Sequence, residues 1–450
     1  MTTATACAAL LSLAIAAPCA AQTRPASAAR PLARYVPAKD LIFYFEFDGL
    51  DAHAAAWKRS ALYRLLNETK LGTMVEDLGT QALEQAIASG PEKGRPKTAD
   101  VVAAFKALVR DGFAFGMSGR PPQPPVGVFA VRNAAKNGIL NLVRSIDAQG
   151  DSKPKTERRG SRTVTLQGEG PQASAWWVEG DDLVMVSLAA TGYNDVVAAI
   201  EAKAPNATSS PIRTELMKAE PGFEPVAVAF FDLSKVPLPP DSAKYGVDGL
   251  KRIDYRVEFQ DEALYSVLRV IAPSPRRGFL AMLDQPTFDK NSLPPIPAGL
   301  SSWTAFSFAP AAFYEKYKTL SAMNGPQGGP PFDAFEQGMQ QNLGFRFKED
   351  ILAQLGPKCV FYLNGEAPPQ GQAIGKVRAA LTAEVRDSAA FARTLDKVMA
   401  VVMQVLQAQV QQNPGARTPQ IQKVAGPTPG YRLVLPPGSL PPQVAGIIDP

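Results

Sequence analysis

The side chains that could do chemistry are few. The chain holds one histidine, His53, in Asp51-Ala52-His53-Ala54. That excludes His-x-x-x-His zinc sites and any metal centre built on several imidazoles. A nucleophilic triad would have to recruit His53, yet no Gly-x-Ser-x-Gly elbow accompanies it. Gly116-Met117-Ser118-Gly119 lacks the second spacer. His53 is therefore read as a surface residue near the start of the first helix. Glu46 and Asp48 share the strand face opposite a run of Phe residues, and adjacent carboxylates can serve as acid and base where their surroundings split their pKa values. A plainer reading competes with this. Phe47-Asp48, Phe230-Phe231-Asp232 and Phe308-Ala309-Pro310 each end an apolar strand, and Asp and Pro suit turns and helix starts.

Other motif matches fail on context. Ser152-Lys153-Pro154-Lys155 fits Ser-x-x-Lys but lies in a polar, Pro-containing loop without Ser-Asp-Asn or Lys-Thr-Gly companions. In Gly90-Pro91-Glu92-Lys93-Gly94-Arg95-Pro96-Lys97-Thr98, Pro96 stands where a phosphate loop needs Gly, and no strand leads into it. Gly325-Pro326-Gln327-Gly328-Gly329-Pro330 reads as a connector. Cys359, in the apolar run Cys359-Val360-Phe361-Tyr362-Leu363, reads as a buried, inert thiol. No residue is assigned as catalytic, cofactor-binding or metal-ligating, and no cofactor is expected.

The elements that would position any site must come from a chain of 450 residues, a length for two to three domains. Its 47 Lys and Arg against 42 Asp and Glu give +5, spread thinly, which excludes nucleic acid as a partner. Arg158-Arg159 and Arg276-Arg277 are read as solvated turns. Residues 8–21 are apolar and small, the length of a signal h-region, with Cys19 and Ala21 at the small positions of a cleavage site. No Lys or Arg precedes this run, and Pro18 before Cys19 speaks against a lipoprotein box. The reading is a signal peptide over 1–21, a linker over 22–34, export, and a periplasmic or secreted protein. Cys359 is then the only cysteine left, so no intrachain disulfide forms. No later segment offers about twenty uninterrupted apolar residues, so no transmembrane anchor is expected. The Ala-, Arg- and Pro-rich usage suggests a bacterial source.

Leu41, Phe43, Phe45 and Phe47 alternate as a strand. Leu62, Leu65, Leu66, Leu71, Met74, Val75 and Leu78 then follow helical spacing. Thr98 is expected to cap a helix bearing Phe105, and Asn133 another bearing Leu142. Ala175–Val178 and Leu183–Leu188 suggest a hairpin across Glu179-Gly180-Asp181-Asp182. Tyr255, Val257 and Phe259 alternate with Asp254, Arg256 and Glu258, which predicts one dry and one wet face in an antiparallel pair. Val226–Phe231, apolar at every position, fits a sheet covered on both sides or one lining an apolar pocket.

The second half echoes the first. Ile296-Pro297-Ala298 before Trp303 matches Val36-Pro37-Ala38, and Val385-Arg386-Asp387-Ser388-Ala389 matches Val131-Arg132-Asn133-Ala134-Ala135. Pro368-Pro369-Gln370 likewise matches Pro121-Pro122-Gln123. Two copies of one module are expected, over 35–290 and 291–450. The second copy stops before equivalents of Trp176 to Lys203, so the natural chain is expected to continue past Pro450.

Tyr35-Val36-Pro37-Ala38, Trp57-Lys58, Leu62-Tyr63, Ala263-Leu264-Tyr265-Ser266-Val267, Pro275-Arg276-Arg277-Gly278 and Leu343-Gly344-Phe345 with Lys348-Glu349-Asp350 carry a likeness. Through them the chain resembles a family of exported bacterial proteins classed only as a domain of unknown function, number 3352. The resemblance implies export and a repeated mixed fold, and brings no catalytic residues.

The expected fold is α+β, mainly antiparallel sheets with amphipathic helices packed against them. The expected function is a non-enzymatic exported protein that binds an envelope protein or envelope component. A carrier of an apolar small molecule or lipid is the alternative, which predicts a sizeable cavity between sheet and helices. Met399 and Met403 on the long C-terminal helix would suit such an adaptable surface, although core packing explains them as well. A hydrolase of unrecognised type stands third.

Overall fold

The computed structural model describes residues 30–89, 95–119, 124–149, 153–300, 302–323, 332–365, 377–412, 419–425 and 430–434. The expected signal peptide, most of the linker, Ser152, both Pro-Pro-Gln loops, residues 90–94 and 325–330, and the chain after 434 lie outside these residues.

Two compact units make up the chain. One runs to Pro239 and resumes over Leu250–Pro273; the other takes Pro240–Gly249 and everything from Ser274. The division thus falls ahead of the expected 290/291 boundary. Local contacts explain why Pro240–Gly249 belongs with the later chain. The Phe279 N–H donates to the Tyr245 carbonyl at 2.9 Å, and the two rings stack with centroids 5.8 Å apart. Gly246, at φ +74°, lies so close to the Arg277 carbonyl that a Cβ would clash with it.

In the first unit, β1 (Leu41–Phe47) leads into four helices, α1 (Ala54–Arg59), α2 (Ala61–Asn67), α3 (Leu71–Ser89) and α4 (Thr98–Asp111). β2 (Phe113–Ser118) and β3 (Val126–Val131) follow, then α5 (Ile139–Gln149). Next come β4 (Lys155–Arg159), β5 (Arg162–Gln167), β6 (Ser174–Glu179) and β7 (Asp182–Val186). Helices α6 (Ala189–Ile200) and α7 (Pro211–Leu216) precede β8 (Glu224–Asp232), β9 (Arg252–Gln260) and β10 (Ala263–Ile271). All ten strands join one antiparallel sheet in the order β10-β9-β8-β1-β2-β3-β7-β6-β5-β4. The α+β class expected from the sequence is therefore the class observed.

Strand alternation divides this sheet into two faces. Tyr44 and Glu46 share one with Val128, Val184, Trp177 and Phe230, beneath the short turn Leu32–Tyr35 and α6. Tyr35, Tyr44 and Trp177 are fully buried there, each contributing about 1.5–3 kcal/mol of burial. Phe43, Phe45 and Phe47 occupy the opposite face with Phe113 and Phe129. There Trp57 from α1, Leu66 from α2, Val109 from α4 and Ile139 from α5 close over the sheet.

Four local expectations are corrected. Thr98 is the first residue of α4 rather than its cap, a place taken by Lys97 without a side-chain bond. Asn133 sits at φ +55° in a turn, and Asn137 caps α5 by accepting the Ile139 N–H at 3.2 Å. Arg158 and Arg159 lie on β4, not in a turn, with Arg159 stacked over Tyr193 at 4.8 Å. On β9 the charged face expected to be wet is buried: Asp254 and Glu258 are no more than 1% exposed and Arg256 6%. Each carboxylate is neutralised two residues along the strand, Arg252 to Asp254 at 2.7 Å and Arg256 to Glu258 at 3.1 Å.

The second unit opens with α8 (Gly278–Met282), β11 (Ser302–Ser307), α9 (Pro310–Ala322) and α10 (Phe332–Leu343). It continues through β12 (Leu355–Gly365), β13 (Val377–Val385), α11 (Ser388–Gln412), β14 (Gln420–Val424) and β15 (Gly430–Val434). β11, β12 and β13 form an antiparallel sheet in that order, and β14 pairs with β15. The element order strand, helices, two strands, helix, hairpin is common to both units. Val131 and Val385 each end the third strand. Among the described residues, no helix is long and apolar enough to cross a membrane.

Candidate functional site

The residues with catalytic potential are held in ion pairs. Glu46, 1% exposed, accepts from Arg213 Nε at 2.7 Å and from the Tyr44 hydroxyl at 2.9 Å. Burial raises its pKa, against the pull of Arg213. Asp48 lies past the end of β1 and faces His53 instead. The imidazole, expected on the surface, is instead 11% exposed, at the N-cap of α1. Its Nδ1 meets Glu224 Oε1 at 2.5 Å and its Nε2 lies 3.9 Å from Asp48 Oδ2. Burial alone would lower the His53 pKa, but the Asp48 and Glu224 carboxylates raise it. Sequence and structure agree on Asp232, whose Oδ1 accepts the Ser234 N–H at 3.2 Å, and on Pro310, which opens α9. Cys359 is buried in β12, which pushes its thiol pKa up. Lys155 opens β4, and Met399 and Met403 lie half-buried on α11. Among the described residues, no three His, Cys, Asp or Glu side chains are placed to hold a metal ion.

What motif reading missed is a polar groove of about 710 Å³, lined by α5 and the strands β4, β5 and β6. That volume lies within the range of small-molecule sites. Cross-strand register builds its floor. Thr156 opposes Thr165, and Thr165 opposes Trp176, so two hydroxyls and an indole stand in a row on adjacent strands. α5 supplies the wall through Arg144 and Asp147, three residues apart and so on one side of the helix. The Trp176 indole N–H donates to Asp147 Oδ2 at 2.6 Å, and Gln167 donates to Oδ1. Asp147 is 6% exposed; burial raises its pKa while these two donors lower it.

At the far end, Arg162 forks onto Glu179 at 2.6 and 3.2 Å and reaches Glu201 at 3.0 Å. Glu179 also accepts from the Trp177 indole at 3.2 Å. These groups are spoken for. Arg144 and the hydroxyls of Thr156, Ser161 and Thr163 bond to no described residue, so donors and acceptors converge on the groove unused. The only sequence sign was the hydroxyl-bearing strand Arg162–Gln167, a pattern with no motif attached.

A second space is apolar, between Phe45, Phe47, Trp57, Val109, Tyr255 and Phe259, and offers about 90 Å³. An apolar cavity known to bind a molecule as small as benzene measures about 150 Å³. The sizeable cavity that a lipid carrier predicts is not this one.

Compared with known proteins, the chain matches no family model, no curated protein and no solved structure.

Proposed function

We propose that this chain is an exported, non-catalytic binding protein, and that the groove beside α5 receives a polyhydroxylated ligand, a saccharide of the cell envelope. The observation that carries the reading is the row Thr156–Thr165–Trp176 flanked by unengaged Arg144, Ser161 and Thr163. Hydroxyls and a guanidinium at strand spacing suit a flat ligand bearing repeated hydroxyl groups. Asp147 keeps lone pairs beyond those taken by Trp176 and Gln167, and can accept from a ligand hydroxyl. Binding is favoured over hydrolysis by the state of the second carboxylate. Two-carboxylate glycosidases need one carboxyl group as acid and a second as base or nucleophile, and both oxygens of Glu179 are already taken by Arg162 and Trp177. Export rests on the apolar N-terminal run and on the likeness to the exported family.

The test is calorimetric titration of the mature chain with soluble neutral and uronic oligosaccharides. Binding by wild type, lost in Arg144→Ala and in Thr163→Val with unchanged melting temperature, is the expected result. Heats that are absent across the panel, or equal in both variants, would remove the groove as a saccharide site.

A further inference from the structure

The ten-stranded sheet ends in two edges of opposite character. β4 closes one with Lys155, Glu157, Arg158 and Arg159, so charge fills four of its five positions. Charge on an edge strand is the usual protection against pairing with another chain. β10 closes the other edge with Ala-Leu-Tyr-Ser-Val-Leu-Arg-Val-Ile, nine residues without proline and with Arg269 as the one charge. Six of its nine side chains are open to solvent, with Leu268 67% exposed, Tyr265 47% and Val270 42%, while Leu264 packs onto the cluster around Trp57. β10 is paired to β9 along its whole length, in unbroken register from Ala263 opposite Gln260 to Ile271 opposite Arg252. Its other side meets no strand among the described residues. A long, regular and apolar edge of this kind is a template for a further strand.

We propose that β10 is a self-association surface, on which a second copy of this chain lays its own β10 antiparallel through a two-fold axis at Val267. The side chains favour a second copy as occupant. Val267 is the middle residue of the strand, so this axis pairs all nine residues. Arg269 then stands opposite the partner's Tyr265 on the same sheet face, a cation beside an aromatic ring. On the other face Val270 opposes the partner's Leu264, and the two Leu268 side chains flank the axis diagonally, within reach of each other. Arg269 never opposes itself unless the axis moves to Arg269. The strand therefore carries no like-charge penalty against its own image, and the interface is isologous and closed. This inference is independent of the groove: β4 and β10 are opposite ends of the sheet.

Sedimentation equilibrium of the mature chain tests it. Wild type is expected to dimerise in the micromolar range. Val267→Lys puts two ammonium groups opposite each other at the axis, and Leu268→Lys puts two beside it; each is expected to weaken dimerisation at least tenfold. Circular dichroism melts for both variants separate lost pairing from lost folding, and Leu268→Lys, at the most exposed position, keeps the test valid if Val267→Lys unfolds. Val267→Cys reports the register, because directly opposed Cα atoms lie within disulfide reach, about 4.4–6.8 Å. It is expected to cross-link under mild oxidation where Arg269→Cys does not. A wild type that stays monomeric at high micromolar concentration overturns the proposal. So does a dimer that survives both lysine variants, or one in which the Arg269→Cys chain cross-links and the Val267→Cys chain does not.

Discussion

Arg213 reaches from α7 into the buried face of the sheet to meet Glu46, Nε 2.7 Å from Oε2, 167 residues away in sequence. The pair joins a helix to the centre of a ten-stranded sheet where both charges are almost out of water. Two charges buried together neutralise each other, and one left alone does not. Arg213→Met is therefore expected to cost about 3–5 kcal/mol, since it strands the Glu46 carboxylate. Glu46→Leu with Arg213→Met together should recover most of that loss, because an apolar pair of similar volume carries no desolvation penalty. Urea unfolding of the two variants measures the difference; equal losses would show that shape, not charge, is what the pair contributes.

Much of this fold was legible in the residues, and the illegible parts share a cause. The alternation of Leu41 to Phe47 gave β1, and the turn at Gly180-Asp181 gave the β6–β7 hairpin. Asp387 caps α11, accepting the Ala390 N–H at 2.9 Å, where the pattern Arg386-Asp387-Ser388 placed a cap. The charged side of β9 misled, because Asp254, Arg256 and Glu258 read as solvent-facing until their intrastrand partners are seen. His53 misled likewise: its partners Asp48 and Glu224 come from β1's end and β8's start, and Glu224 is 171 residues distant. The groove was invisible for the same reason. Thr156, Thr165, Trp176 and Arg144 become neighbours only through sheet register and the placing of α5. Periodicity encodes which face a residue takes; it does not encode which distant residue shares that face.

His53 makes stability depend on pH with a known sign. Its pKa is raised in the folded protein, so folding favours the protonated ring. This contribution is complete below the unfolded value of about 6.5 and is lost as pH rises through the raised folded value. Denaturant midpoints of wild type and Glu224→Gln, compared at pH 5.5 and 8.5, measure it. The gap between the two proteins is expected to narrow at the higher pH, where the neutral ring no longer pairs with a charge. A gap that widens with pH would show that His53 folds in its neutral form.

Trp176→Phe separates the indole N–H from the ring. Phenylalanine fills most of the space but leaves Asp147 Oδ2 without its 2.6 Å donor. A buried acceptor stripped of its partner costs about 1–3 kcal/mol, and this variant is expected to fall in that range. Asp147→Asn with Trp176→Phe should lose less than the sum of the single changes, since the two groups are in contact. A thermal-melt double-mutant cycle decides it, and simple additivity would mean that the bond contributes nothing.

Gly192, in the first turns of α6, faces β3 and the end of β7 at close range. A Cβ built there would lie 2.5 Å from Val186 Cγ2, 2.7 Å from Val126 Cγ1 and 2.8 Å from the Ser187 carbonyl oxygen. Two of these neighbours are branched side chains and the third is backbone. In a helix interior, Ala is favoured over Gly by about 0.8–1.0 kcal/mol. At Gly192 the sign is expected to reverse, because α6 cannot keep its seat over Val186 and Val126 with an added methyl. Overpacking of this kind costs about 1–3 kcal/mol. Gly192→Ala is thus expected to destabilise, and Gly192→Ala with Val186→Ala to regain part of the loss by making room. Gly338→Ala on α10 is the internal comparison, since the nearest atom to its Cβ is the flexible Asn342 amide at 3.9 Å and propensity alone should act. If both glycine variants gain stability in urea melts, α6 is not held against the sheet as closely as these distances require.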